Sequence, residues 1–227
     1  MKQLLKRMSI ALALALLTGL AAFTPSSADD GPNPNVAIVS QQFRSTARYD
    51  GNVIEYMDDW AMGGKVNYTS PTIFIGDDAA KKLWVGILDF DTSALPDGVT
   101  IIGAYLDVYV LKYTTVYGDP YMLLGDINVD FAVPSFGTSQ ALEPWDFESF
   151  FTDFAGIMPW AYKSNQKLSM EVDPSVLWEI DPTQPTQFRL YFWDDNEDTL
   201  PQGITIASGN HSKVSYRPTL TVYFFYP

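Results

Sequence analysis

The run TIIGAYLDVYVLKY, residues 100–113, repeats with a period of two: Ile102, Ala104, Leu106, Val108 and Val110 alternate with Gly103, Tyr105, Asp107 and Tyr109. A helix would scatter these apolar residues around its axis, whereas a strand sends successive side chains to opposite faces. The same period places Ile127, Val129, Phe131 and Val133 of INVDFAV inward, with Phe188, Leu190 and Phe192 of TQFRLYFW and Leu220, Val222 and Phe224 of RPTLTVYF. Further strands are expected at VAIVSQQF, TIFIG, KLWVGILDF, KLSMEV and GITIAS, between turn-rich pieces such as LPDG, YGDP and LPQG. On KLWVGILDF, Trp84 shares a face with Leu88 and Phe90 and is expected in the core. About nine or ten strands with almost no helix predict an all-β chain, a jelly-roll β-sandwich. One or two short connector helices are expected, one capped by Ser139 and running through ALEPWDFESFF, the other from Asp173 and Pro174 to Ile180.

The N-terminus sets an expected compartment. Lys2, Lys6 and Arg7 precede the apolar stretch MSIALALALLTGLAAF, and the small residues Ser26 and Ala28 follow. This is the pattern of a secretory signal peptide, residues 1–28, cleaved before Asp29. Residues 29–49 then read as a linker with the first strand, and 50–227 as a single domain. No second long apolar segment suggests a membrane span. Removing the leader takes away three of 14 basic residues and none of 27 acidic ones, leaving 11 minus 27, or −16. Such a charge disfavours nucleic acid and anionic membranes. There is no cysteine, so stability must come from the core or from a bound ion.

The order of short motifs is informative where each alone is weak. DGNVIE, IFIGDDAAKKLWVGILDFDTSALPDGVTI, LGDINVDFAVPSFGTSQALEPWDF, TQFRLYFWDDNED and SGNHSKVSYRPTLTVYF follow one another over about residues 50–226. This succession resembles the DNRLRE-domain family, secreted β-sandwich modules related to alginate-binding carbohydrate-binding modules of the CBM96 type. The resemblance implies a jelly-roll module of the kind often attached to larger exported enzymes, with polysaccharide binding as its role. DGNVIE stands where the motif that names the family would lie and matches it poorly.

WDDNED, residues 193–198, puts four carboxylates and an amide directly after an apolar strand. Three readings stand: a solvated acidic turn, a calcium loop and a catalytic acid pair. Asp194, Asn196 and Asp198 have the alternate spacing by which oxygen ligands converge on a hard cation, and Asp77 and Asp78, past another strand, could join them. Thr199 and Thr205 stand where an EF-hand needs glycine and glutamate, so only a calcium loop of another kind fits. A polysaccharide-degrading enzyme is the least favoured reading. Carboxylates alone single out no catalytic pair, and the single histidine, His211, sits in a Gly-Asn-His-Ser turn and rules out zinc sites built on several histidines.

Aromatic residues give the stronger lead. The alternation points Tyr105 and Tyr109 away from the core on one strand, Tyr191 and Trp193 on another, and Tyr223 on a third. Flat rings stack on the C–H faces of sugars while polar neighbours such as Arg189 and Asp107 take hydroxyls. The plainer alternative is that the apolar stretch 134–166, with Trp145, Phe147, Phe150, Phe151, Phe154 and Trp160, covers them. The net charge favours neutral glycans over polyuronates unless calcium bridges the carboxylates or Lys81, Lys82, Arg189 and Lys213 gather locally. The sequence thus predicts a non-catalytic carbohydrate-binding or adhesion module, with calcium as the one cofactor considered. The other class in play is a self-associating subunit of an extracellular matrix, sheath or fibre, joined by strand addition along VAIVSQQF or the last strand. Asn67 and Asn210 lie in N-x-[ST] sequons.

Overall fold

The strand predicted at residues 100–113 organises the molecule. In the computed structural model, which describes residues 37–56, 64–116, 118–194 and 199–227, it runs from Thr100 to Thr114. The strands are β1 (Val39–Arg44), β2 (Gly51–Tyr56), β3 (Lys65–Asn67), β4 (Thr72–Asp77), β5 (Lys82–Phe90), β6 (Thr100–Thr114), β7 (Ile127–Ala132), β8 (Asp153–Met158), β9 (Gln166–Glu171), β10 (Thr186–Phe192), β11 (Gln202–Ala207) and β12 (Thr219–Phe225). They form one curled antiparallel sheet in the order β1-β12-β6-β11-β4-β5-β10-β7-β8, with β2 added to β5, β3 to β2, and β9 to β6. The fold is the all-β sandwich expected, with twelve strands among the described residues instead of nine or ten. The three unanticipated ones are β2, β3 and β8. β2 is buried along both faces and so lacks alternation, and β3 has only three residues. The register of β8 on β7 shifts beside Val129 and Asp130.

Curling lets the two ends of the sheet share one core. Leu106 and Val108 of β6 and Leu220 and Val222 of β12 belong to the same buried cluster as Leu88 and Phe90 of β5, Phe188 and Leu190 of β10, and Val129 and Phe131 of β7. Phe90 and Phe188 meet edge-on with centroids 5.8 Å apart. Each such side chain contributes about 1.5–3 kcal/mol by leaving water, so the alternation read from sequence is the main stabilising pattern. One of its members is misplaced. The β12–β6 register shifts between Tyr223 and Phe224, so Phe224 pairs with Ile101, which packs against the core, and Ile102 is left 42 % exposed.

Short helical turns follow an Asp-Pro grammar. Asp173 accepts a hydrogen bond from the Ser175 N–H at 2.8 Å and opens a 3₁₀ turn over Pro174–Glu179, as the sequence predicted. The same grammar at Asp119 and Pro120, read from sequence as a mere turn, opens the α-helix α1 (Pro120–Leu124), with Asp119 accepting from Tyr121 N–H. Ser139 caps no helix. The helical turn in that region is Pro144–Phe147, where Asp146 accepts from the Glu143 N–H at 2.7 Å. No helix among the described residues is long and apolar enough to cross a membrane. The expected signal peptide, residues 1–28, lies outside the described residues.

Candidate functional site

β10 divides its side chains between two environments. Phe188, Leu190 and Phe192 enter the main core, while Gln187, Arg189 and Tyr191 lie on the opposite face. There a second apolar cluster forms from Val53, Val85, Ile87 and Ala132 of the sheet with Phe136 and Leu142 of the segment after β7, and Phe147 and Tyr191 pack against it. The aromatic stretch after residue 134 therefore covers part of this face.

Arg189 fastens that cover. Its Nη1 donates to the carbonyl oxygens of Asp146, Phe147 and Ser149, each at 3.0 Å, and its Nη2 to Asp130 Oδ2 at 2.7 Å, while the guanidinium lies over the Phe136 ring at 4.7 Å. The side chain is thereby buried, and its charge is balanced by Asp130. Arg189 positions a wall and is not an exposed partner for hydroxyls. Behind the same wall, burial pushes the Asp146 carboxyl up to about 6 against the hydrogen bond from Glu143 and the Arg189 charge, which lower it.

Where the cover stops, a cleft of about 370 Å³ opens. Phe147, Phe151 and Tyr191 line it with Leu83, Trp84 and Val85, and Trp193 and Asp194 also reach it. Trp193 is 70 % exposed and Phe151 48 % exposed. The backbone N–H groups of Trp193 and Asp194 donate to the carbonyls of Asp126 and Leu124, so α1 and the turn after it fix this rim. Trp84 is not a core residue as expected: it is half-buried, meets Phe74 edge-on at 5.9 Å and donates its indole N–H to Asp78 Oδ2 at 3.0 Å. Burial and the neighbouring Asp130 hold the Tyr191 phenol above its ordinary range.

The proposed ligand residues thus fall into three places. Tyr191, Trp193 and Arg189 belong to the cleft. Tyr109 stacks on Tyr216 at 3.6 Å beside Asp107, in a separate groove on β6, while Tyr105 lies outside both and meets Tyr223 edge-on at 5.9 Å. Of the proposed metal ligands, Asp77 is buried and accepts from the Gln202 N–H at 3.0 Å. Asp78 Oδ1 accepts from the Ala80 and Lys82 N–H groups and its Oδ2 from Trp84, so it caps the β4–β5 turn. Asp194 stands exposed at the cleft rim, and Asn196 and Asp198 lie outside the described residues. Among the described residues no group of three His, Cys, Asp or Glu side chains is arranged to hold a metal ion. Nor do Lys81, Lys82, Arg189 and Lys213 converge: Lys82 lies over Tyr56, Lys213 over Tyr216, and Arg189 is buried. His211 accepts from the Lys213 N–H at 3.2 Å as an ordinary turn residue, and the Asn210 amide is committed to the carbonyls of Ala47 and Tyr68.

Sequence reasoning missed Trp84 and Phe151 as lining residues. The signal was an aromatic at the start of a strand, beyond the last fully buried pair, and another in a run, FESFF, too apolar for a free loop.

No family model matches the chain, and no curated protein matches it. Among solved structures it is similar to the xylan-binding module CBM15, at 13 % identity and a TM-score of 0.34, covering 83 % of this chain and 97 % of that one. The likeness is too distant to transfer residue roles.

Proposed function

We propose that the chain is a non-catalytic glycan-binding module, exported by its N-terminal leader, with the cleft beside β10 as its binding site. One observation carries the reading: an open cleft with a largely exposed tryptophan, Trp193, at its rim and the ring of Tyr191 in its lining. Exposing a tryptophan to water is unfavourable, and a sugar's C–H face is a fitting cover because the ring edge and the hydroxyls stay hydrated. Every charge in the lining is acidic except Arg189, which Asp130 already balances. Neutral glycans are therefore favoured over polyuronates. The order of motifs that resembles the DNRLRE-domain family supports the same class of function.

The test is isothermal titration and affinity electrophoresis against neutral and acidic soluble polysaccharides. A neutral glycan bound by the native protein and lost in Trp193→Ala is the expected result. Retention that is equal in both proteins would place the site elsewhere.

Calcium enters this reading only through the spacing of Asp194, Asn196 and Asp198. Thermal unfolding in calcium and in chelator, with Asp198→Ala beside the native chain, decides it. An ion at a hundredfold excess over its dissociation constant adds about 2.7 kcal/mol, readily seen as a shifted midpoint. Coincident curves make the segment a solvated turn.

A further inference from the structure

The groove holding Tyr109 collects positive charge on a strongly acidic chain. About 290 Å³ in volume, it is lined by Arg44 of β1, Lys167 of β9, Arg217 and Tyr216 of the turn before β12, and Asp107 and Tyr109 of β6. Lys213 stands over the Tyr216 ring at 3.7 Å. Three cations thus share the groove with one carboxylate, Asp107, which Lys167 already engages at 2.8 Å, and Lys213 adds a fourth positive charge beside Tyr216. Among the described residues the Arg44 guanidinium has no hydrogen-bond or ion-pair partner, its backbone alone being paired, with Thr219, and the Arg217 guanidinium uses only its Nε, toward the His211 carbonyl at 2.8 Å. Uncompensated guanidinium groups sharing a groove repel one another, and an oxyanion between them relieves this while taking their free N–H donors.

The aromatic rings say what kind of anion fits. Tyr109 and Tyr216 lie against each other at 3.6 Å and 10°, and the Lys213 ammonium and the His211 ring also lie against Tyr216. No free ring face like that of Trp193 is offered for a sugar. The volume lies near the bottom of the range for small-ligand clefts, about 300–1,000 Å³, and suits a few carboxylate side chains better than a run of sugar rings. The chain itself carries such a group: residues 194–198 bear four carboxylates, beginning at the exposed Asp194.

We propose that the basic groove of Arg44, Lys167 and Arg217, with Lys213 beside it over Tyr216, receives the acidic 194–198 segment of a second copy of this chain. The two surfaces differ, so the contact is head-to-tail, and unless it closes into a ring it repeats into open chains. The inference does not depend on the glycan reading, but it shows how weak single sites would gain avidity along an assembly.

Charge gives the interaction a salt signature. The net charge of −13 keeps copies apart at low ionic strength, whereas salt at about 1 M, with a screening length of about 3 Å, also erases the local pairing. Association should therefore be strongest at intermediate salt.

Sedimentation velocity of the purified protein across salt and concentration tests this, with Arg44→Glu/Arg217→Glu as a groove variant and Asp195→Asn/Asp198→Asn as an acidic-segment variant. Circular dichroism melts first establish that both variants fold. Each alone is expected to weaken self-association by at least about tenfold, the scale of close charge pairs across an interface. Mixing the two should restore binding, but only as one-to-one heterodimers, because each complex then has one working groove and one working acidic segment. Three results would overturn the proposal: a monomer at every salt concentration, association insensitive to both variants, or a native monomer whose groove binds a carboxylated or sulfated oligosaccharide.

Discussion

At the residue scale, Arg189 of β10 and Trp193 just after it have opposite duties. Trp193 is largely exposed, so Trp193→Ala should leave the melting temperature within a degree or so while weakening glycan binding by about 2 kcal/mol, the scale of an anchoring aromatic. Calorimetric titration beside a melt checks both halves. Arg189 is the reverse case. Arg189→Met would strand Asp130 as a buried, unpaired carboxylate and release three loop carbonyls, at a cost of about 3–5 kcal/mol in urea unfolding. A loss under about 1 kcal/mol would mean that the segment holding Phe147 and Phe151 is fastened by its apolar contacts alone. Arg189→Lys is expected to rescue little, because one ammonium cannot reproduce the planar fork that serves four acceptors.

At the scale of elements, the approach of β4 and β11 depends on two glycines. Gly76 and Gly203 stand opposite one another at φ +139° and +146°, and a Cβ on either would lie 2.0–2.1 Å from a carbonyl oxygen of the other strand. Gly203→Ala should therefore cost about 3 kcal/mol, and because Gly76 lines the cleft, ligand affinity should fall with it. Gly98, at φ +73° with open space around it, is the control: Gly98→Ala should cost only about 1 kcal/mol of backbone strain. Equal losses at the two positions in denaturant unfolding would refute the close-approach argument. The strands themselves were legible in sequence, because period two is a local property of the chain. What sequence missed at this scale has local causes too. The shift at Tyr223 and Phe224 exchanged Ile102 for Ile101, and β2 hid because a strand buried on both faces shows no period.

For the whole molecule, buried carboxylates set the response to pH. Asp50 joins three segments, accepting from the N–H groups of Asp89 and Gly209 at 2.9 Å each. Burial, aided by the neighbouring Asp89 charge, raises it to about 7. Burial raises Asp89 as well, and Asp146 stands at about 6. Between about pH 4, where such groups titrate in the unfolded chain, and pH 7 the folded state holds more protons than the unfolded one. Stability should consequently fall as pH rises through this window and level off above it, with the melting temperature higher near pH 5 than near pH 8. The lowered carboxyls of Asp173, exposed, and Asp181, half-exposed, act in the opposite sense but are screened by solvent. Asp50→Asn should flatten the slope while costing about 1–3 kcal/mol for the backbone donor left unpaired, as melts across the pH range would show. The sequence by itself determined the fold class, most of the strands and the excess of negative charge, since alternation and composition need no knowledge of distant residues. Only the tertiary structure decided which outward rings remain open. Tyr109 is closed off by Tyr216, more than a hundred residues later, and Arg189 is buried by the segment that follows β7, whereas Trp193 stands free. Exposure depends on what the rest of the chain lays over a side chain, and no local period records that.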